Sequence, residues 1–155
     1  MKKAVFAGTF DPVTLGHEEI IKKASNLFDE LTVAICINPE KTATFSLEKR
    51  LQMLNAVCKR YKNVTVTFHE GMLVDLMKEI GAIYNVRGLR NSVDFEYEEI
   101  MHHYNEALYP EMETIYIPCT ASHTGVSSSA VKNALSKGND IREMLSQEVY
   151  SLIEK

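Results

Sequence analysis

The run Gly8-Thr9-Phe10-Asp11-Pro12 follows an apolar stretch, Ala4–Ala7, and leads through Val13-Thr14-Leu15-Gly16 to His17, where helical periodicity begins. Gly8 and Gly16 let backbone come close to a ligand. A helix start offers free N–H groups and a partial positive charge, which suits phosphate. His17, on the first turn, adds a side-chain donor there, and Thr9 adds a hydroxyl. An imidazole so placed can hydrogen-bond an α-phosphate as negative charge builds on it. The same residues also permit a plainer arrangement, with Thr14 capping the helix and His17 at the surface.

Other groups carry comparable chemistry. Arg87-Gly88-Leu89-Arg90 comes directly after the apolar run Ile83–Val86. Its guanidinium groups are fork-shaped donors that match phosphate oxygens; the alternative is a pair of solvated arginines. Val126-Ser127-Ser128-Ser129 opens a helix, which makes either a second anion site or a simple N-cap in a polar loop. Lys41 lies in the loop past Asn38-Pro39, where most lysines are solvated. His123 is a lone loop histidine, solvated or a ligand contact. His102 and His103 have Glu98 and Glu99 nearby. A metal site is conceivable there, but a wet or subunit-facing helix surface fits better.

Alternating strands and helices must position these groups. Strands are expected at Ala4–Ala7, Leu31–Ile37, Val64–Phe68, Ile83–Val86 and Thr114–Ile117. Helical spacing joins Ile20, Ile21, Ala24 and Leu27, then Leu47, Leu51, Leu54 and Cys58 after the N-cap Ser46. It returns at Leu73–Ile80, stopped by Gly81, at Val93–Leu108 before Pro110, at Ser129–Leu135 and at Gln147–Ile153. The order β-α-β-α-β-α-β-α-β-α-α implies right-handed crossovers and a parallel sheet covered on both faces. The expected fold is a single α/β domain over residues 1–155, a Rossmann-like doubly wound sheet of five parallel strands. Ligands in such sheets bind at the carboxyl ends of the strands, near the switch in strand order.

The bulk properties agree. A chain of 155 residues, 45% apolar and 25% charged, can bury a core without disulfides. Its net charge of −4 gives no general nucleic-acid footprint. The three cysteines, Cys36, Cys58 and Cys119, lack the spacing of a zinc site or a disulfide framework and are expected to be buried thiols. The N-terminal run reads as a strand and not a signal peptide. No run approaches the ~18 apolar residues of a membrane span. The expected compartment is the cytoplasm, with no membrane and no nucleic acid as partners.

The first run, with Thr14-Leu15-Gly16-His17, resembles the T/HxGH signature of the nucleotidyltransferase superfamily. Arg87–Arg90 with Asp94-Phe95-Glu96-Tyr97-Glu98 closely resembles the phosphopantetheine adenylyltransferase family. That resemblance implies direct in-line adenylyl transfer from ATP to 4′-phosphopantetheine, giving dephospho-coenzyme A and pyrophosphate. It implies catalytic roles for Thr9, His17 and Lys41. It implies ATP contacts from Thr9, Phe10, His17, Gly88, Arg90, Tyr97, Glu98, Val126, Ser127, Ser128 and Ser129. Thr9, Lys41, Met72, Leu73 and Arg87 would meet the acceptor, although Met72 and Leu73 also read as ordinary core residues. Mg²⁺ would arrive with ATP, without a metal site of the protein's own. Relatives of this kind form homohexamers, and the broad apolar surface of Val93–Leu108 suits burial between subunits. The chain departs from the family pattern at Ala7, at Asn133 and in the loop Thr120–Gly125.

Overall fold

In the computed structural model, which describes residues 1–154, the strands are β1 (Lys3–Gly8), β2 (Glu30–Ile37), β3 (Val64–Glu70), β4 (Tyr84–Leu89) and β5 (Glu113–Pro118). The helices are α1 (Leu15–Leu27), α2 (Leu47–Cys58), α3 (Leu73–Ile80), α4 (Ser92–Leu108), α5 (Ser128–Ser136) and α6 (Gln147–Glu154). The strands form one sheet in the order β3-β2-β1-β4-β5, and all pairings are parallel. The chain leaves β1 toward β2 on one side and later returns beside β1 as β4. The switch in strand order therefore falls between β1 and β4.

Side chains alternate across the sheet, as the pleat requires. Ala4, Phe6, Leu31, Val33 and Ile35 pack with α1, α2, α5 and α6. Val5, Ala7 and Ala34 face the other way, onto Val74, Leu76 and Met77 of α3 and Met112. Local signals end the helices. Ser46 caps α2 by accepting from the Lys49 N–H at 3.1 Å. Gly81 ends α3 at φ 71°, a left-handed conformation that glycine adopts without cost. Helix α4 is different, because of its residues only Asn105 is buried.

Two expectations change. Strand β4 runs on through Arg87, Gly88 and Leu89, because β5 continues to pair with it at Tyr116, Ile117 and Pro118. Arg87 is therefore a strand residue and not the start of a loop. Cys58 is buried, but Cys36 and Cys119 are half-buried, since both lie at the cleft rim near strand ends. Burial pushes the Cys58 thiol up to about 12 and raises that of Cys36. Among the described residues, no helix is long and apolar enough to cross a membrane.

Candidate active site

A cleft of about 600 Å³ opens over the carboxyl ends of β1 and β4. It takes in Thr9, Phe10, His17, Lys41, Arg87, Gly88, Arg90, Glu98, Val126, Ser127, Ser128 and Ser129. A side cavity of about 190 Å³ adjoins it, sharing Thr9, Arg87 and Glu98, and adds Leu73, Asn85, Tyr97, Met101 and Asn105. Tyr97 thus belongs to the side cavity. Met72 lines neither space: it is the N-cap of α3, off that helix's apolar face, and its side chain is exposed.

His17 opens α1 in a reciprocal cap. Its backbone N–H points at Thr14 Oγ1, and its ring Nδ1 accepts from the Thr14 N–H at 3.0 Å. So Thr14 does cap the helix, yet His17 is half-buried and faces the cleft. An accepting Nδ1 carries no proton, which leaves the proton on Nε2. Burial, then the charges of Arg87 and Arg90, push the His17 pKa down to about 4. At neutral pH this ring is an uncharged donor through Nε2. The Phe10 ring packs edge-on to it at 4.9 Å and to Phe6 at 5.3 Å. Phe10 holds φ 47°, a conformation that costs a non-glycine residue ~1–3 kcal/mol and persists because its ring is locked in the core.

The two arginines of the RGLR run are paired rather than solvated. Arg87 makes a two-pronged contact with Glu98, both bonds 2.9 Å, and donates to the Ala7 carbonyl at 2.7 Å. Arg90 pairs with Asp94 at 3.1 and 3.2 Å. Gly88 permits close packing, since a Cβ there would sit 3.0 Å from Ile20 Cγ1. At α5, Ser127 caps the helix by accepting from the Ala130 N–H at 3.0 Å. Ser128 donates to the Pro12 carbonyl at 2.7 Å, which ties this helix start to the β1–α1 turn. The N-termini of α1 and α5 therefore face one space with their free N–H groups, an arrangement suited to a polyphosphate.

Three residues not singled out in the sequence hold this frame. Asp11, 1% exposed, accepts from the Thr44 and Phe45 N–H groups, both at 2.8 Å. Lys132 of α5 approaches the same carboxylate at 3.6 Å. Arg50, also buried, donates to the carbonyls of Phe45 and Thr9, each at 3.1 Å. Together they fasten the Lys41 loop to the β1–α1 turn. Their sequence positions carry no mark of this role, because the contacts that join the loop to the turn, Asp11 with Thr44 and Phe45 and Arg50 with Thr9, are distant along the chain.

His123 is neither solvated nor free. It lines the cleft, and its Nδ1 lies 2.6 Å from Glu19 Oε1. The liganding atoms of His102, His103 and Glu106 fall within 4.8 Å of one another. Both nitrogens of His102 already have partners, Thr114 of β5 and Glu106, each at 2.7 Å.

This is the architecture of a nucleotide-handling α/β transferase. Residues 5–134 match the Cytidylyltransferase-like family, and the chain belongs to it. Over 155 residues it is 41% identical to the Phosphopantetheine adenylyltransferase of Clostridium botulinum, covering 100% of this chain and 94% of that protein. It is 42% identical over 149 residues to the Phosphopantetheine adenylyltransferase of Flavobacterium psychrophilum, covering 96% of this chain and 98% of that one. Within the wider family, it is a member of the phosphopantetheine adenylyltransferases. The fold alone is shared with a solved protein of Vibrio parahaemolyticus assigned as a nicotinate-nucleotide adenylyltransferase, at TM-score 0.74 and 21% identity over 99% of this chain and 93% of that one.

Proposed function

We propose that this protein transfers the adenylyl group of ATP to the phosphate of 4′-phosphopantetheine. An acceptor phosphate oxygen attacks the α-phosphorus in line. The bond to the β-phosphate oxygen breaks, and pyrophosphate leaves as dephospho-coenzyme A forms. The observation that carries this reading is the meeting of two helix N-termini, His17 and Lys41 in one cleft beside a separate cavity.

A phosphate monoester is already an anionic nucleophile, so the chemistry needs no strong base. Positioning and charge stabilisation supply the rate. His17, as a neutral donor, hydrogen-bonds the α-phosphate through Nε2, with Lys41 and Thr9 beside it. The α5 start, Ser127–Ser129, holds the leaving pyrophosphate together with Arg90. Glu98 keeps Arg87 at the boundary of the two spaces, where it meets the acceptor. The acceptor's arm carries amide groups on an aliphatic chain. The side cavity suits it: Leu73 and Met101 are apolar, while Asn85 and Asn105 carry amides. Asn85 Oδ1 is buried without a partner in the protein, among the described residues, and could accept an amide N–H.

Mg²⁺ travels with ATP in this reading. Asp11, Asp94 and Glu98 are the carboxylates of the cleft, and all are engaged by protein donors. The ion is therefore best held by the triphosphate itself, whose charge it offsets. The exposed apolar side chains of α4, with Ile100 at 70% and Tyr104 at 58%, favour burial between subunits of a homohexamer. Light scattering at micromolar protein tests this, and a clean monomer rejects it. The reading sets the enzyme in the cytoplasm, where ATP is made available.

The decisive experiment follows pyrophosphate release from Mg-ATP with and without 4′-phosphopantetheine. Release that depends on this acceptor is expected. Release with nicotinamide mononucleotide instead overturns the choice of acceptor and keeps the phosphate site.

A further inference from the structure

We infer that Glu19 is a positioning residue for the nucleoside end of the cleft, acting by fixing the Pro118–Thr124 segment and the imidazole of His123 against α1. This rests on the ATP-dependent reading above. The phosphate-binding groups gather at the starts of α1 and α5, and the side cavity lies toward Leu73 and Asn85. The nucleoside is assigned to the wall of Leu89, Cys119, His123 and Val126, which adjoins the start of α5 and is remote in sequence from the Lys41 loop residues Asn38, Thr42 and Ala43. Three of these four belong to the irregular connection between β5 and α5, whose only regular element is the short turn Ala121–His123. Neither a sheet ladder nor a long helix determines where this wall stands.

Glu19 does. Its carboxylate, 10% exposed, accepts from the Thr120 N–H at 2.9 and 3.1 Å, from the Thr120 hydroxyl at 3.2 Å and from His123 Nδ1 at 2.6 Å. Lys23, one turn further along α1, contacts the same carboxylate and donates to the Pro118 carbonyl at 2.9 Å. Against the effect of burial, which raises it, the hydrogen bonds from Lys23, His123 and Thr120 hold the Glu19 carboxyl down to about 2, so it is ionised and can only accept. His123 Nδ1 must then carry a proton, which fixes the ring's orientation and leaves Nε2 without a partner among the described residues. Helix α1 thus bears His17 on its first turn and, two residues later, the anchor of the opposite wall. The two sides of the nucleotide site are registered by one rigid element. The departure of Thr120–Gly125 from the family pattern is consistent with a wall held in its own way.

The test compares Glu19→Ala, Glu19→Gln and His123→Ala by steady-state kinetics, with calorimetric ATP binding in the absence of acceptor. Losing a charge-assisted anchor should raise both KM and Kd for ATP about tenfold in Glu19→Ala. KM for 4′-phosphopantetheine and kcat should stay within about twofold, because the reacting groups are untouched. Glu19→Gln, which keeps an oxygen toward Thr120, should recover part of the loss. An unchanged ATP affinity in Glu19→Ala, or a fall in kcat with no change in ATP affinity, overturns the inference. If Glu19→Ala does not fold, His123→Ala carries the same expectation and the same refutation. If the wild-type protein binds ATP but does not turn over 4′-phosphopantetheine, the proposed reaction fails. The calorimetric comparison then still decides the role of Glu19.

Discussion

Replacing His17 with alanine tests the central chemical claim, that a neutral imidazole donor and not a titrating base serves the α-phosphate. Nδ1 is committed to the Thr14 N–H at 3.0 Å, so Nε2–H is the one donor the ring can offer. Loss of a single preorganised donor to a developing oxyanion costs roughly 10²–10³ in kcat, or about 2.7–4 kcal/mol. Thr14 Oγ1 still caps the N–H of residue 17 in the variant, so only the ring's bond to the Thr14 N–H is lost, at a further cost of ~1 kcal/mol of stability, small enough for the variant to stay folded. The pH profile separates a neutral donor from a base. With a folded-state pKa of about 4 in the free protein, His17 contributes no acidic limb to wild-type kcat/KM for ATP between pH 5.5 and 8, since that ratio reports the groups of the free enzyme. Linkage fixes the sign for stability. The unfolded chain takes up this proton near the ordinary value of 6.5 and the folded chain only near 4. Protons therefore favour unfolding in that window, and stability should fall as pH drops from 6.5 toward 4, with a slope from this group of at most ~1.4 kcal/mol per pH unit. The assay is pyrophosphate release, at saturating substrates for turnover and at low ATP for the pH profile, with urea midpoints measured in parallel. An acidic limb near 6.5 that disappears in His17→Ala refutes the reasoning, as does a variant retaining more than a tenth of its turnover.

Gly88→Ala should destabilise the protein by about 1–3 kcal/mol through overpacking, because its new Cβ would lie 3.0 Å from Ile20 Cγ1 and 3.3 Å from Cδ1. Urea denaturation of a double-mutant cycle with Ile20→Ala checks this; a cost that persists undiminished without the Ile20 side chain rejects the steric cause. Arg50→Ala removes two charge-assisted bonds, to the Phe45 and Thr9 carbonyls. A loss of about 3 kcal/mol is expected, with reduced turnover as the Thr9 turn and the Lys41 loop separate. Thermal melts and kinetics read it, and wild-type values for both would show that Asp11 alone holds the loop.

What was legible in the sequence was local. The nearly continuous apolar runs Ala4–Ala7 and Leu31–Ile37 report strands buried on both faces of a sheet. Ser46 and Gly81 mark helix ends through groups that act within a turn of themselves. The position of His17 at a helix start follows from the same short-range logic. What was not legible depends on pairing across the fold. The end of β4 is set by its ladder with β5, so Arg87 could be mistaken for a loop residue. Asp11 meets Thr44 and Phe45, Arg50 meets Thr9, and Glu19 meets Thr120 and His123, all through contacts far apart in the chain. A lone acidic or basic residue on an amphipathic helix gives no sign of such a partner. Met72 is not a core residue for a related reason: its neighbours Val74, Leu76 and Met77 face the core, but Met72 stands at the N-cap of α3 and is exposed.

The pairing of charges around the cleft bears on how an anion is received there. Arg87, Arg90 and Lys132 each face a carboxylate, and all three carboxylates lie on the chain that frames the cleft. These pairs neutralise much of the local charge in the free protein, so long-range attraction of ATP is modest, as the overall charge of −4 would also suggest. In exchange, the guanidinium groups are held in place before a ligand arrives, and little side-chain freedom remains to be lost on binding. In the proposed reaction these arginines are joined by donors that have no competing acceptor among the described residues. These are the free N–H groups at the starts of α1 and α5, the Nε2–H of His17, and the Lys41 side chain on its fastened loop. A site of this design discriminates by geometry, because fixed donors engage a phosphate only where its oxygens meet them. That is the property needed to hold the α-phosphate in line between an acceptor phosphate on one side and a departing pyrophosphate on the other.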